Sequence, residues 1–161
     1  MQVLSLTCQK ENLLLPLPVS AKVAALSGRN LRRALLMLEA LKVQCYPFNP
    51  AQPAAQMDWE RFCGMLAADI LKEQSPRQLL NVRAKIYDLL INCVPSDAII
   101  KKVLQGLVDR LKDPSTEGLK HELTHWAAHY EHRLQMGNKD LFHIEAFCAR
   151  AMASIKSPPP A

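Results

Sequence analysis

Glycine is scarce in this chain of 161 residues, which has five, and aromatic residues make up only 6%. Strands draw on Val, Ile, Thr and aromatics, and tight hairpins draw on glycine, so both shortages argue against a sheet. No stretch approaches the run of about 18 apolar residues that a membrane-spanning helix needs. The N-terminus lacks the basic start, apolar core and small-residue cleavage site of a secretory signal. No Gly-x-x-x-x-Gly-Lys-Ser/Thr loop occurs, so the chain by itself has no phosphate cradle of that kind. No Gly-x-Ser-x-Gly nucleophile elbow is present either. The cysteines, Cys8, Cys45, Cys63, Cys93 and Cys148, form no C-x-x-C pair. An odd, unpatterned set of this kind reads as reduced, mostly core thiols of an intracellular protein.

What the chain does have is leucine and alanine. Hydrophobic residues reach 49%, and that mixture predicts an all-α fold of packed helices. The net charge of +5 permits an acidic partner without requiring one. Lys101 and Lys102, with Arg110 and Lys112, read as a solvated helix face, because no aromatic stacking residues are interleaved with them.

Punctuation divides the chain. A first helical piece carries Val3, Leu4, Leu6 and Cys8. Leu15-Pro16-Leu17-Pro18 breaks it, and Ser20 is expected to cap a short helix through Leu26. A longer helix runs from Asn30 to about Gln44. On a wheel of 100° per residue, Leu31, Leu35, Leu38, Leu41 and Cys45 share its packed face. Leu36 and Val43 form a second stripe beside Arg32, which predicts a helix enclosed on two sides. Tyr46-Pro47-Phe48-Asn49-Pro50 and Pro53 mark a linker, so a boundary is expected across residues 47–56. Beyond it the pattern predicts five helices: Asp58 to about Glu73; one capped by Ser75, Pro76 and Gln78; one opening at Pro95 and including Leu111; about Thr116 to Met136; and Lys139 to about Lys156. Short connections between them imply a bundle. Ser157 to Ala161 reads as a disordered tail.

Two stretches could carry chemistry. In Ser27–Ala40, Asn30 is a predicted N-cap and Arg32 and Arg33 fall in the first helical turn. A cation there opposes the macrodipole by about 0.3–1 kcal/mol. A bound anion would reverse the sign, because free backbone N–H groups and a guanidinium fork would converge on it. Arg32 or Arg33 is therefore a candidate phosphate contact; the competing reading is an ordinary pair of solvated arginines.

The second stretch, His121-Glu122-Leu123-Thr124-His125, matches H-E-x-x-H, in which two histidines hold zinc and a glutamate activates water. Three features weaken a zinc-dependent hydrolase. Leu119, Leu123, Trp126, Ala127, Tyr130 and Leu134 fall within about 100° of arc, whereas His121, His125, His129 and His132 lie about 200–280° around from Leu119, on a face that reads as solvated. The third ligand of the longer zincin signature would fall at Glu131, with no glycine at Ala128. Nothing in the chain reads as a supporting sheet. No metal ligand is assigned, and weak cation capture by His121 and His125 is the milder expectation.

Several runs together resemble a small subunit of the eukaryotic clamp loader, replication factor C, and most closely its third-subunit type. They are Arg29–Met37, Lys42–Phe48, Met57–Glu60, Glu73–Pro76, Ile86–Pro95, His125–Leu134 and Phe142–Phe147. The resemblance implies a piece of an AAA+ protein, with residues 1–46 as most of a three-helix lid and 57–156 as a five-helix collar. It implies that Arg32 stands where the family has its sensor-2 arginine, which reaches the terminal phosphate of ATP bound by another domain. It also implies other replication factor C subunits as partners in a hetero-pentamer, with the sliding clamp and primer–template DNA reached through the complex. No catalytic residue and no membrane partner are implied, and the location would be the nucleus. A truncated helical module with no loading role is a further alternative. Two departures stand out: Arg29-Asn30 replaces a common Gly-Asp, and Ala151 stands where an aromatic residue is usual.

Overall fold

The computed structural model describes residues 1–52 and 57–157. It contains eight α-helices and no strand among those residues, as the composition predicts. The chain forms two compact units, Met1–Met57 and Asp58–Ala161.

In the first unit, α1 (Gln2–Lys10) and α2 (Leu17–Leu26) pack on α3 (Leu31–Gln44). The start of α2 differs from the sequence expectation. Pro18 lies in its first turn, where the missing N–H has no intrahelical acceptor in any case. Ser20 is thus inside the helix, buried, with its hydroxyl donating to Leu17 O at 3.0 Å. The packing of α3 differs too. Its buried residues are Ala34, Met37, Leu38 and Leu41, a single face. Leu31, at 52% exposure, falls at its margin, and Cys45 follows the helix on the surface. Leu36 (50% exposed) and Val43 (81%) lie on the far side, so the second stripe has no cover within the unit. Leu4, Cys8, Val19 and Val23 complete the core, together with Phe48. Phe48 comes from the segment read as linker, which folds back onto the unit. Lys22 Nζ donates to Pro50 O at 3.0 Å, and Gln52 Nε2 donates to Leu41 O at 3.3 Å. The remainder of that segment, 53–56, lies outside the described residues, as does the expected tail beyond Ser157.

The second unit comprises α4 (Asp58–Lys72), α5 (Pro76–Ile91), α6 (Ser96–Val108), α7 (Glu117–Met136) and α8 (Asp140–Lys156), with a 3-10 turn at Pro114–Thr116. Its main contacts pair α7 with α8, α4 with α6 and α5 with α8. Leu66, Ile70, Ile86, Ile100, Leu107, Leu123, Ile144 and Phe147 are fully buried in one core. The α4–α6 contact is close because of small residues. A Cβ on Gly106 would stand 2.9 Å from Cβ of Ala67, and Gly64 lies across the same contact.

Caps and ties fix the helix ends. Ser75 Oγ accepts the Gln78 N–H at 3.1 Å. Gln78 Oε1 does not complete the expected capping box but accepts from Asn81 Nδ2 at 3.1 Å, while its Nε2 donates to Asp69 O. Helix α6 stops at Val108, and Leu111 packs against the core from the turn beyond it. Lys85 pairs with Asp69 between α5 and α4, and Ser96 donates to Asp140 between α6 and α8.

Candidate functional site

The strongest concentration of charge lies where α2 gives way to α3. The first unit has six lysines and arginines but only two acids, Glu11 and Glu39, and three of the cations are Arg29, Arg32 and Arg33. Helix α2 ends at Leu26; Gly28 (φ 58°) and Arg29 (φ 63°) then adopt consecutive left-handed conformations. Glycine accepts that region freely, whereas a side chain such as that of Arg29 costs about 1–2 kcal/mol there. The turn delivers Asn30 as the N-cap, with its side-chain carbonyl accepting the Arg33 N–H at 3.1 Å. No acid occupies the first turn of α3. Arg32 is exposed and heads the uncovered stripe of Leu36 and Val43, whereas Arg33 is half-buried. Positive helix terminus, exposed guanidinium and apolar stripe therefore share one side of α3.

The second unit presents a different surface. Helix α5 buries Val82, Ile86 and Leu89 on one face. Its opposite face carries Leu80 (63% exposed), Ala84, Tyr87 (45%) and Ile91 (74%). At helical spacing these four fall within about 60° of arc, a continuous apolar stripe. Arg83 lies beside it, its guanidinium 6.0 Å from the Tyr87 ring and 3.5 Å from Glu145 Oε1. Exposed apolar residues are ordinary when scattered; these four are aligned along one helix as a continuous strip. The sequence pattern contained this stripe at i, i+4, i+7 and i+11, but only the structure separates it from the equally apolar buried face.

The H-E-x-x-H stretch lies on α7 as the wheel predicts. Leu119, Leu123, Ala127 and Leu134 face the core, and His121, His125, His129 and His132 are exposed. Glu122 does not face a zinc position. Its Oε1 accepts from Trp126 Nε1 at 3.2 Å and from Ser154 Oγ at 2.8 Å, which ties α7 to α8. The Arg150 guanidinium lies over the same indole, 4.1 Å from the Trp126 ring centroid. The carboxylate that a hydrolase would use as base is a packing element here. No group of three or more potential metal ligands gathers among the described residues.

The thiols divide by environment. Burial pushes Cys63 up to about 11 and Cys148 up to about 12, so neither supplies a thiolate nucleophile at neutral pH. Cys45 and Cys93 are exposed. Ala151, where the resemblance points to a deficit, is fully buried on α8.

Two family models match the chain. Residues 2–43 match the one described as "RCF1/5-like, AAA+ ATPase lid domain", and residues 59–158 match "Replication factor C subunit 3, C-terminal domain". Among whole proteins, replication factor C subunit 5 of Oryza sativa is 51% identical over 96% of this chain. Replication factor C subunit 3 of Arabidopsis thaliana is 46% identical over 97% of it, and that of Homo sapiens 45% over 96%. The chain spans only 43% of the Oryza and Arabidopsis relatives and 42% of the human one.

Proposed function

Because the chain belongs to the replication factor C family, we propose that it supplies the lid and collar of a clamp-loader subunit, with residues 1–46 as the lid and 57–156 as the collar. Its partners are other replication factor C subunits, which it joins in a hetero-pentamer through the collar. Through that complex it helps place a sliding clamp on primer–template DNA in the nucleus. The observation that carries the assembly role is the α5 stripe of Leu80, Ala84, Tyr87 and Ile91. It is the outer face of a helix whose inner face is fully satisfied, so it has apolar area left for a neighbour. Tagged chain co-expressed with the other subunits should recover them, and Leu80→Asp combined with Ile91→Asp should abolish recovery while leaving the helical signal intact. Recovery unchanged by the double substitution, or a solitary monomer from the wild type, would overturn the reading.

Arg32 is proposed as the sensor of a nucleotide held outside this chain. Support comes from its exposure at a positive helix terminus and from the uncovered Leu36–Val43 stripe beside it, which suits docking of a further domain. The group sensed would be the terminal phosphate of ATP, and no catalytic residue is assigned to this chain. In a protein extended to the length of its relatives, Arg32→Ala should weaken the dependence of clamp loading on ATP and spare assembly. Equal ATP dependence in wild type and variant would remove the role. The metallohydrolase alternative has no supporting observation, since Glu122 is engaged by Trp126 and Ser154.

A further inference from the structure

Assembly and sensing leave the solvent face of α7 without a role. Four histidines lie on it, His121, His125, His129 and His132, all exposed. Side chains four residues apart on a helix start about 5–6 Å apart and lie one above the other. Two imidazoles so placed can both reach a cation that accepts nitrogen at about 2.0–2.1 Å.

The pairs are not equivalent. The ring of His125 meets Trp126 edge to face at 5.3 Å, and that of His129 meets the same indole at 5.7 Å. His129 also abuts Tyr130 at 5.2 Å. The indole is itself fixed by Glu122 and by Arg150. Two imidazoles packed against one hydrogen-bonded indole lose less rotamer freedom on chelation than free ones do. Neighbouring carboxylates are committed elsewhere: Glu122 to Trp126 and Ser154, and Glu131 to Lys101 at 2.8 Å.

We propose that His125 and His129 chelate one borderline divalent transition-metal ion on the solvent face of α7, with water filling its other positions. Imidazole suits nickel, copper and zinc, and a two-ligand site leaves the ion exchangeable. The proposal is independent of the assembly reading, since it concerns a face of α7 and not the α5 stripe.

The test is a titration of the whole chain with Ni²⁺ alone, followed by calorimetry and tryptophan fluorescence. Cys45→Ser and Cys93→Ser would form the background, so that exposed thiols do not contribute. Saturable binding of one ion with a change in tryptophan emission is expected, read in a Trp59→Phe background so that Trp126 is the only emitter. His125→Ala and His129→Ala should each weaken it by at least the roughly 10–100-fold that loss of an outer-sphere partner costs. His121→Ala and His132→Ala should leave it intact. Binding that survives His129→Ala, that falls equally with His121→Ala, or that never saturates would overturn the assignment.

Discussion

The two units are built from the same kind of helix but rest on different resources. The second closes twenty buried apolar residues into one cluster, and the first has nine. Charge divides the other way. The second unit has almost as many acids as bases, whereas the first has six bases against two acids. Each buried aliphatic side chain contributes roughly 1.5–3 kcal/mol before chain entropy is subtracted. A nine-residue core is therefore marginal, and the large one is not. The first unit also concentrates like charges at one helix end and keeps Arg29 in a left-handed conformation. A marginal unit with backbone strain and clustered cations at one point opens more readily than a unit with a large, charge-balanced core.

The contrast is sharpest if it can be broken. Phe147→Ala, which empties the centre of the second core, should cost about 3–5 kcal/mol. Urea unfolding followed by circular dichroism should show the late transition moving and the early one standing still. One transition that moves as a whole would abolish the distinction. Next in size, Gly106→Ala places a methyl 2.9 Å from Ala67 and should cost about 1–3 kcal/mol, again in the late transition only. In the first unit, Asn30→Ala removes the α3 cap and should cost about 1 kcal/mol in the early transition. Arg29→Gly should go the opposite way and raise that transition by about 1 kcal/mol, because glycine adopts the same backbone without the steric penalty. A destabilised Arg29→Gly protein would mean that the guanidinium makes a contact worth more than the strain.

A further effect is alkaline. Cys63 and Cys148 are raised by burial from the ordinary 9.0 to about 11 and about 12. Above pH 9 the unfolded chain loses these protons while the folded one retains them, so stability falls as pH rises from there toward the folded values. The second unit's melting temperature should decline over that window, and Cys148→Ala should flatten the decline.

Much of this was legible beforehand. Leucine periodicity, Ser75-Pro76 and Pro95 set the helices of the second unit to within a few residues, because each acts through its immediate neighbours. The exposure of the histidines on α7 was legible for the same reason, since a wheel with one strongly apolar side admits one orientation. Errors fell where two local readings competed. Ser20 and Pro18 could each open α2, and the missing N–H of proline prevailed. Helix α3 had apolar residues on two sides, and the wheel could not say that only one was covered within the unit. The apolar stripe of α5 is ambiguous in sequence for the same reason.

The sequence by itself determined the helical class, the position of the N-cap at Asn30 and the concentration of cations around it. These depend on composition and on neighbours along the chain. Tertiary structure alone decided which apolar faces were covered, that Phe48 belongs to the first core, and that Glu122 holds Trp126 and Ser154 rather than a metal-bound water. Those outcomes depend on residues far apart in the chain meeting in space. The small core of the first unit leaves Leu36 and Val43 uncovered beside Arg32, and the large core of the second leaves α5 with one face to spare.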